Sequence, residues 1–272
     1  MSRPESRRKS GPEVTNNGEG MNEGIDHNFR ASDSRLLTPV IFSDFDGTIA
    51  QVDVTDVILS EFGDPAWREI EEEWVAGCIG SRECLRRQMA LVRASAVDFD
   101  ALIDTVPHDL HFPAFHRLTR ALGLPFYVVS DGFDYVIRRV LRNCGVDGDL
   151  LNGSHLFASS IKVAGGLTVD FPHWPAPCVH GCATCKPEVI RRVRGDHAPV
   201  IFIGDGLSDR FAVEEADVVF AKDKLLAYCR KNSIGCTPFQ TFADIQAELA
   251  RIGAFPRPAR AGREQQVSVL SR

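Results

Sequence analysis

The segment that most constrains this chain is Val40-Ile41-Phe42-Ser43-Asp44-Phe45-Asp46-Gly47-Thr48. A short, unbroken apolar run reads as a strand buried on both faces. This one ends on two acids with a single residue between them. Charge at the end of a buried strand is costly unless it serves a purpose, so the run is expected to deliver Asp44 and Asp46 to a site.

The same design recurs. Pro125-Phe126-Tyr127-Val128-Val129-Ser130 leads into Asp131-Gly132, and Val200-Ile201-Phe202-Ile203 leads into Gly204-Asp205-Gly206-Leu207-Ser208-Asp209. Asp217-Val218-Val219-Phe220-Ala221 is a fourth strand signal, and helical segments separate the four. Weaker strand signals lie at Leu156-Phe157 and Leu167-Thr168-Val169. The alternation predicts an α/β fold, a three-layer Rossmann-like parallel sheet with helices on both faces. The site is then expected outside the carboxyl ends of the strands.

Residues 54–110 read as helical without a comparable strand. Val57, Ile58 and Phe62 share a face, as do Trp67, Ile70 and Trp74, then Leu85, Met89 and Val92. A small helical cap over 53–111 is therefore expected after the first strand, with 38–52 and 112–254 forming the core. Asp131-Gly132 reads as a turn, 172–185 as a loop, Pro187 as the first residue of a helix, and 210–216 as helical. Residues 1–37 and 255–272 are polar and are expected to be disordered tails.

Length and an apolar content of 44% suffice for a core domain with an insert. The net charge of −6 has both signs mixed along the chain, with no basic stripe, so nucleic acid is not an expected partner. No apolar run approaches the roughly 20 residues of a membrane span. No apolar stretch near the start marks a secretory signal, so a cytoplasmic home is expected. A homodimer is expected on general grounds.

The acids fit phosphate-ester chemistry. A carboxylate such as Asp44 can attack phosphorus and form an aspartyl phosphate. A second carboxyl, Asp46, can protonate the leaving oxygen and later activate water, provided its neighbours raise its pKa. Gly47 permits a sharp turn that brings backbone amides to a phosphate. Asp205 and Asp209 offer oxygen ligands suited to Mg2+. Lys186, just after the 172–185 loop, can reach both Asp44 and the phosphate, and Ser130 can donate a hydrogen bond beside the next backbone amide, that of Asp131. Each residue also has a plainer reading: Asp209 as a helix cap, Ser130 as a turn residue, Lys186 as a solvated helix lysine.

Taken in order, Asp-Phe-Asp-Gly-Thr, Val-Val-Ser, a Lys before a helix, and Gly-Asp-Gly-x-Ser-Asp resemble the four motifs of the haloacid dehalogenase superfamily. The resemblance spans about residues 39–249. It implies Asp44 as nucleophile, Asp46 as acid and base, and Mg2+ held by Asp44, Asp205 and the backbone carbonyl of Asp46, with Asp209 bound directly or through water. It also implies that Gly47, Thr48, Ser130, Asp131 and Lys186 surround the phosphate. Pro-x-Trp in the insert, Phe-Tyr-Val-Val-Ser, the Trp-Pro and Cys-rich loop before Lys-Pro, and Val-Phe-Ala-Lys-Asp resemble a subgroup of methionine-salvage phosphatases. These act on 2-hydroxy-3-keto-5-methylthiopentenyl-1-phosphate, with phosphoserine and phospho-amino-alcohol phosphatases as more distant relatives. One departure stands out. Where the relatives read Ser-Gly-Gly, this chain reads Ser130-Asp131-Gly132, and an acid there would repel an anion unless it turns away. A phosphotransferase and a catalytically silent binding module are the alternatives from other classes.

The loop adds a second question. Cys178, Cys182 and Cys185, with His180 and His173 nearby, can be read as a zinc site, a disulfide pair, or a packed loop lining the substrate. In the insert, Trp67 and Trp74 read as core or as pocket walls. Arg82, Arg86 and Arg87 read as a solvated face or as substrate contacts.

Overall fold

The fold is built outward from one strand, β1 (Val40–Ser43), which is buried along its whole length. The computed structural model describes residues 38–163, 167–174, 178–195 and 198–255. After β1 come four helices, α1 (Val54–Phe62), α2 (Trp67–Val75), α3 (Ser81–Met89) and α4 (Ala96–Ile103). The chain then returns through α5 (Phe112–Ala121), β2 (Phe126–Phe133), α6 (Asp134–Asn143), α7 (Asp149–Asn152), β3 (Leu156–Lys162) and β4 (Thr168–Asp170). The second half runs through α8 (Lys186–Arg194), β5 (Val200–Gly204), β6 (Val218–Ala221), α9 (Asp223–Lys231), β7 (Thr237–Pro238) and α10 (Phe242–Arg251).

The sheet order is β4-β3-β2-β1-β5-β6-β7. β1 is therefore central, parallel to β2 on one side and to β5 on the other, with Ser43 opposite both Val128 and Ile203. The chain winds away from β1 in one direction through β2 and β3, then in the other through β5 and β6. That reversal opens a crevice at the carboxyl ends of β1, β2 and β5. Period-two alternation explains the unbroken apolar runs. Val40, Phe42, Val200 and Phe202 join the cluster that holds Val189, Ile190 and Leu225 of α8 and α9. Ile41, Ile201 and Ile203 face the opposite cluster, with Phe112, Phe115, Ile137 and Phe242 of α5, α6 and α10. A strand covered on both faces has no polar side to show.

Several expectations change in detail. The sheet is mixed, because β4 runs antiparallel to β3 at the edge. Asp131-Gly132 does not turn the chain: β2 continues to Phe133, with a register shift against β3 between Val129 and Phe133. The expected helix over 210–216 is replaced by two 3-10 turns, Leu207–Asp209 and Val213–Glu215. Helix α8 begins at Lys186, one residue before the expected proline. Phe255, assigned to the terminal tail, is buried and stacks on Phe115 at 5.6 Å. Tails 1–37 and 256–272 lie outside the described residues.

Four helices, α1 to α4, lie between β1 and α5, in the segment read from the sequence as an insert. Its first and last segments are tied by Gln51 N–H to the Pro107 carbonyl (2.9 Å), Asp109 N–H to the Ile49 carbonyl (2.9 Å) and an Ala50–His108 bridge. Trp67 belongs to the buried core cluster that also holds Leu85 and Met89. Arg82 covers the Trp174 ring, Arg86 pairs with Glu83 and Arg87 with Glu73. Among the described residues no helix is long and apolar enough to cross a membrane.

One core side chain couples the fold to pH. His116 on α5 is 4% exposed, between Phe112 and Phe126. Burial, with Arg120 adding to it, pushes its pKa down to about 4. The folded protein thus keeps the ring neutral where the unfolded chain, titrating near 6.5, takes up a proton. Its contribution to stability is present above pH 6.5 and is lost as pH falls toward 4. Between pH 7 and pH 5 the wild type is expected to lose about 2 kcal/mol more stability than His116→Gln in urea unfolding. Identical losses in the two proteins would rule out this assignment.

Candidate active site

The carboxyl ends of three adjacent strands supply the polar side chains. Asp44 follows β1, and its N–H is held by the Ile203 carbonyl of β5 at 2.8 Å. Phe45 is fully buried and anchors the turn, its carbonyl accepting from the N–H groups of Thr48, Ile49 and Ala50. The anchored turn sends Asp44 and Asp46 to the same crevice. Gly47 sits at φ +66°, and a Cβ there would lie 2.2 Å from Asp205 Oδ2. Only glycine allows the turn to approach Asp205 this closely.

Lys186, at the start of α8, is 1% exposed. Its Nζ lies 2.9 Å from Asp44 Oδ1, 2.5 Å from Asp209 Oδ1 and 3.3 Å from Ser208 Oγ. Burial pulls the ammonium pKa down, but Asp209 and Asp44 outweigh burial and the net direction is upward. Lys186 is therefore a permanent cation. Asp209 is fully buried, and its Oδ2 accepts from the N–H groups of Asp205 and Gly206 at 3.1 and 3.2 Å. Both of its oxygens are engaged by the protein.

The remaining acids are destabilised as anions. Asp44 is pushed well above the usual carboxylate range by burial and by Asp209, with Lys186 opposing. Burial and then Asp53 push Asp46 in the same direction. Burial and Asp209 lift Asp205 to about 7 against the Thr48 hydroxyl. Asp46 is fixed by two contacts: its Oδ1 accepts from Val54 N–H, at the start of α1, at 2.9 Å, and its Oδ2 from Ser130 Oγ at 3.3 Å. Ser130 Oγ in turn accepts from Gly132 N–H at 2.9 Å.

Two expected phosphate contacts are placed differently. The Thr48 hydroxyl donates to Asp205 Oδ1 at 2.9 Å, so it orients an acid instead of facing a phosphate. The Asp131 side chain turns toward the 172–185 loop, where its Oδ1 accepts from Thr184 N–H at 2.8 Å. Burial raises its pKa, while Lys186 and the Ser81 hydroxyl lower it. The acid is thus tied into the protein, which is how the chain accommodates a carboxylate beside the crevice. The sulfur atoms of Cys178, Cys182 and Cys185 converge to within 4.8 Å of one another. His180 is not part of that group; its ring stacks on Phe211 at 3.8 Å.

A cavity of about 590 Å³ opens over these groups, within the range of small-molecule sites. Asp44, Asp46, Ser130 and Asp205 form its floor, and Thr55, Glu71, Trp74, Leu85 and Gln88 of the insert form its roof. The two tryptophans therefore part ways, Trp67 into the core and Trp74 into the cavity wall. None of Arg82, Arg86 and Arg87 lines the cavity. Sequence reasoning missed Ser208, Asp53, Asp109 and Lys222. Asp53 was detectable: it precedes Asp56 by three residues and caps α1 by accepting from its N–H at 3.1 Å. Asp109 and Lys222 reach the cavity wall only through tertiary packing.

Carboxylate oxygens of Asp44, Asp205 and Asp209 lie within 4.8 Å of one another. Hard oxygen donors around excess negative charge fit Mg2+, which binds through one or two carboxylates and keeps several waters. A buried lysine, a carboxylate within reach of a phosphoryl group and a second carboxyl on a fixed turn can together carry phosphoryl transfer.

Comparisons with known proteins place the chain in a family. The pattern of the haloacid dehalogenase-like hydrolases matches residues 41–214. A 2-hydroxy-3-keto-5-methylthiopentenyl-1-phosphate phosphatase of Geobacillus thermodenitrificans is 29% identical over 218 residues, covering 78% of this chain and 96% of its own. The phosphatase of the same name from Bacillus velezensis is 30% identical over 221 residues, covering 79% and 92%. Among solved structures, a phosphoserine phosphatase captured as a phospho-aspartyl intermediate analogue superposes with a TM-score of 0.59 at 18% identity, covering 77% of this chain and 97% of its own. That likeness carries the fold alone, while the sequence match spans more than half the chain: it belongs to the haloacid dehalogenase-like hydrolases.

Proposed function

We propose that the chain is a Mg2+-dependent phosphatase that hydrolyses a small phosphate monoester through an aspartyl phosphate on Asp44. The observation that carries this reading is the convergence of Asp44, Asp46 and Asp205 with the buried Lys186 at the floor of one roofed cavity. In the first step an oxygen of Asp44 attacks phosphorus while the bond to the ester oxygen breaks. Asp46 gives its proton to that oxygen, and the alcohol leaves. In the second step Asp46 takes a proton from water, whose oxygen attacks the same phosphorus. Phosphate departs and Asp44 is restored as a carboxylate.

The raised pKa of Asp46 supports its role as the proton donor. Lys186 Nζ, Ser130 Oγ and the backbone amide of Asp131 hold the phosphoryl oxygens. Asp44, Asp205 and the Asp46 carbonyl are the ligands proposed for Mg2+. When bound, the ion neutralises charge on the carboxylates and on the phosphoryl group. Both Asp209 oxygens are already engaged, so Asp209 sets the position of Lys186 and bears on the ion through water. Residues 53–111 act as the cap that closes the cavity, which excludes large esters.

The relatives' names make the methionine-salvage enol-phosphate the first substrate to test. A second reading, a phospho-amino-alcohol, is favoured by one feature. Glu71, held by Gln88 Nε2 at 3.0 Å, lines the cavity together with Asp53 and Asp56, three acids suited to a substrate ammonium. A panel of small phosphate esters separates the two. Release of phosphate without an added acceptor distinguishes hydrolysis from phosphotransfer, and release from no ester would remove the phosphatase reading altogether.

Two outcomes are expected. Chelation of Mg2+ abolishes phosphate release, and Asp44→Asn lowers it by roughly 10³-fold or more; a variant that retains wild-type turnover would exclude Asp44 as nucleophile. Thr48→Val removes the hydroxyl that orients Asp205, so the Mg2+ concentration for half-maximal release should rise about 10- to 100-fold. An unchanged Mg2+ requirement would show that Thr48 has no part in metal binding.

A further inference from the structure

The loop before α8 carries three thiols that phosphoryl transfer leaves unused. The sulfurs of Cys178, Cys182 and Cys185 all lie within 4.8 Å of one another. A disulfide needs two sulfurs; here a third shares the same point.

The loop is also a junction. Gly181 turns at φ +62° and packs against Gly80, where a Cβ would lie 2.4 Å from the Gly181 carbonyl oxygen. Arg82 N–H, in the first turn of α3, donates to that same carbonyl at 3.1 Å, and Ala183 N–H donates to Ser81 Oγ at 3.0 Å. The next residue, Thr184, donates to Asp131 at the end of β2. Cys185 then caps α8, whose first residue is Lys186. Eight residues thus touch the helical insert, β2 and the lysine of the site.

We propose that Cys178, Cys182 and Cys185 hold one Zn2+ ion through three thiolates and a water, and that this ion locks the junction between the insert and Lys186. Zn–S bonds of about 2.3 Å around a tetrahedral ion place sulfurs about 3.8 Å apart. The observed cluster therefore needs to contract by about 1 Å at most. Soft thiolates select Zn2+ and hard carboxylates select Mg2+, so the two donor sets sort two ions in one protein. Among the described residues no histidine or carboxylate joins the three sulfurs within 4.8 Å, and His180 is stacked on Phe211. The Thr184 hydroxyl, buried within the same loop, has no hydrogen-bond partner in the protein. On binding, the three thiols release their protons to solvent.

The test uses the full-length wild-type chain, reduced, stripped of metal and kept in excess Mg2+ to fill the carboxylate site. Titration with Co2+ should saturate at one equivalent. It should give sulfur-to-cobalt charge transfer and the strong visible bands of tetrahedral cobalt, which oxygen ligands do not produce. Zn2+ should then bleach them. The bands should survive Cys236→Ser and vanish in Cys178→Ser/Cys182→Ser. A second reading needs no variant: Zn2+ should shield the three cysteines from alkylation while the exposed Cys78 reacts as before. Amide exchange at Ala183 and Thr184 should slow when Zn2+ is added. Absent charge transfer, bands that persist in the double variant, or alkylation of the three cysteines indifferent to Zn2+ would overturn the site. Unchanged exchange would overturn the lock.

Discussion

The architecture depends on one buried cation. Lys186 lies between Asp44 and Asp209, both nearly inaccessible to water. Isolated, any one of these charges would be expelled or neutralised, because desolvation of an ion costs several kcal/mol even after relaxation. Together they form a short chain, Asp44–Lys186–Asp209, that ends on the backbone N–H groups of Asp205 and Gly206. The sheet reversal at β1 makes this possible, because only there do three strand ends and the start of α8 meet in one crevice. With burial, the surplus of carboxyl groups over the one ammonium raises the pKa values of Asp44, Asp46 and Asp205. Such a set of oxygen donors suits a divalent cation, which would offset the charge the acids carry once ionised.

What could be read from the chain follows from this charge economy. β1 and β5 were legible because strands covered on both faces show unbroken apolar runs, and acids at their ends have no structural excuse. Lys186 and Ser130 were legible only by their order relative to those acids. The misreadings share a cause in tertiary pairing. Asp131-Gly132 has the composition of a turn, yet β3 pairs with Phe133 and carries the strand through. The segment after Asp209 has helical composition, but Asp209 is bound to Lys186 and to its own preceding turn, and the chain winds into 3-10 turns instead. The edge strand β4 is three residues long with its two ends exposed, so it showed only the weak signal at Leu167-Thr168-Val169, and nothing in that signal announced its antiparallel pairing with β3.

The roof of the cavity was harder to read than its floor. The floor consists of motif residues at strand ends, while the roof is assembled from four short helices whose inward faces differ. Trp67 and Trp74 stand seven residues apart on α2 and share a helical face by spacing alone. One is buried in the core cluster, and the other lines the cavity. Spacing fixes the face of a helix but not how far its neighbour extends beneath it. Glu71 shows the same limit: as one of three consecutive glutamates it reads as solvated surface, yet Gln88 and the Cys84 thiol hold it at the cavity wall.

Asp131 connects the two halves of the problem. In isolation a carboxylate beside a phosphate site is a repulsive defect. Here its Oδ1 is occupied by Thr184 N–H, and the Lys186 ammonium offsets its charge. The acid therefore serves as the bracket by which the cysteine loop is attached to β2. A glycine at this position would leave the loop without that bracket, held by its contacts with Gly80, Ser81 and Arg82 and by the stacking of His180 on Phe211. An acid at 131 and the loop at 178–185 are thus parts of one arrangement, in which the start of α8, and with it Lys186, is held from both the core and the insert.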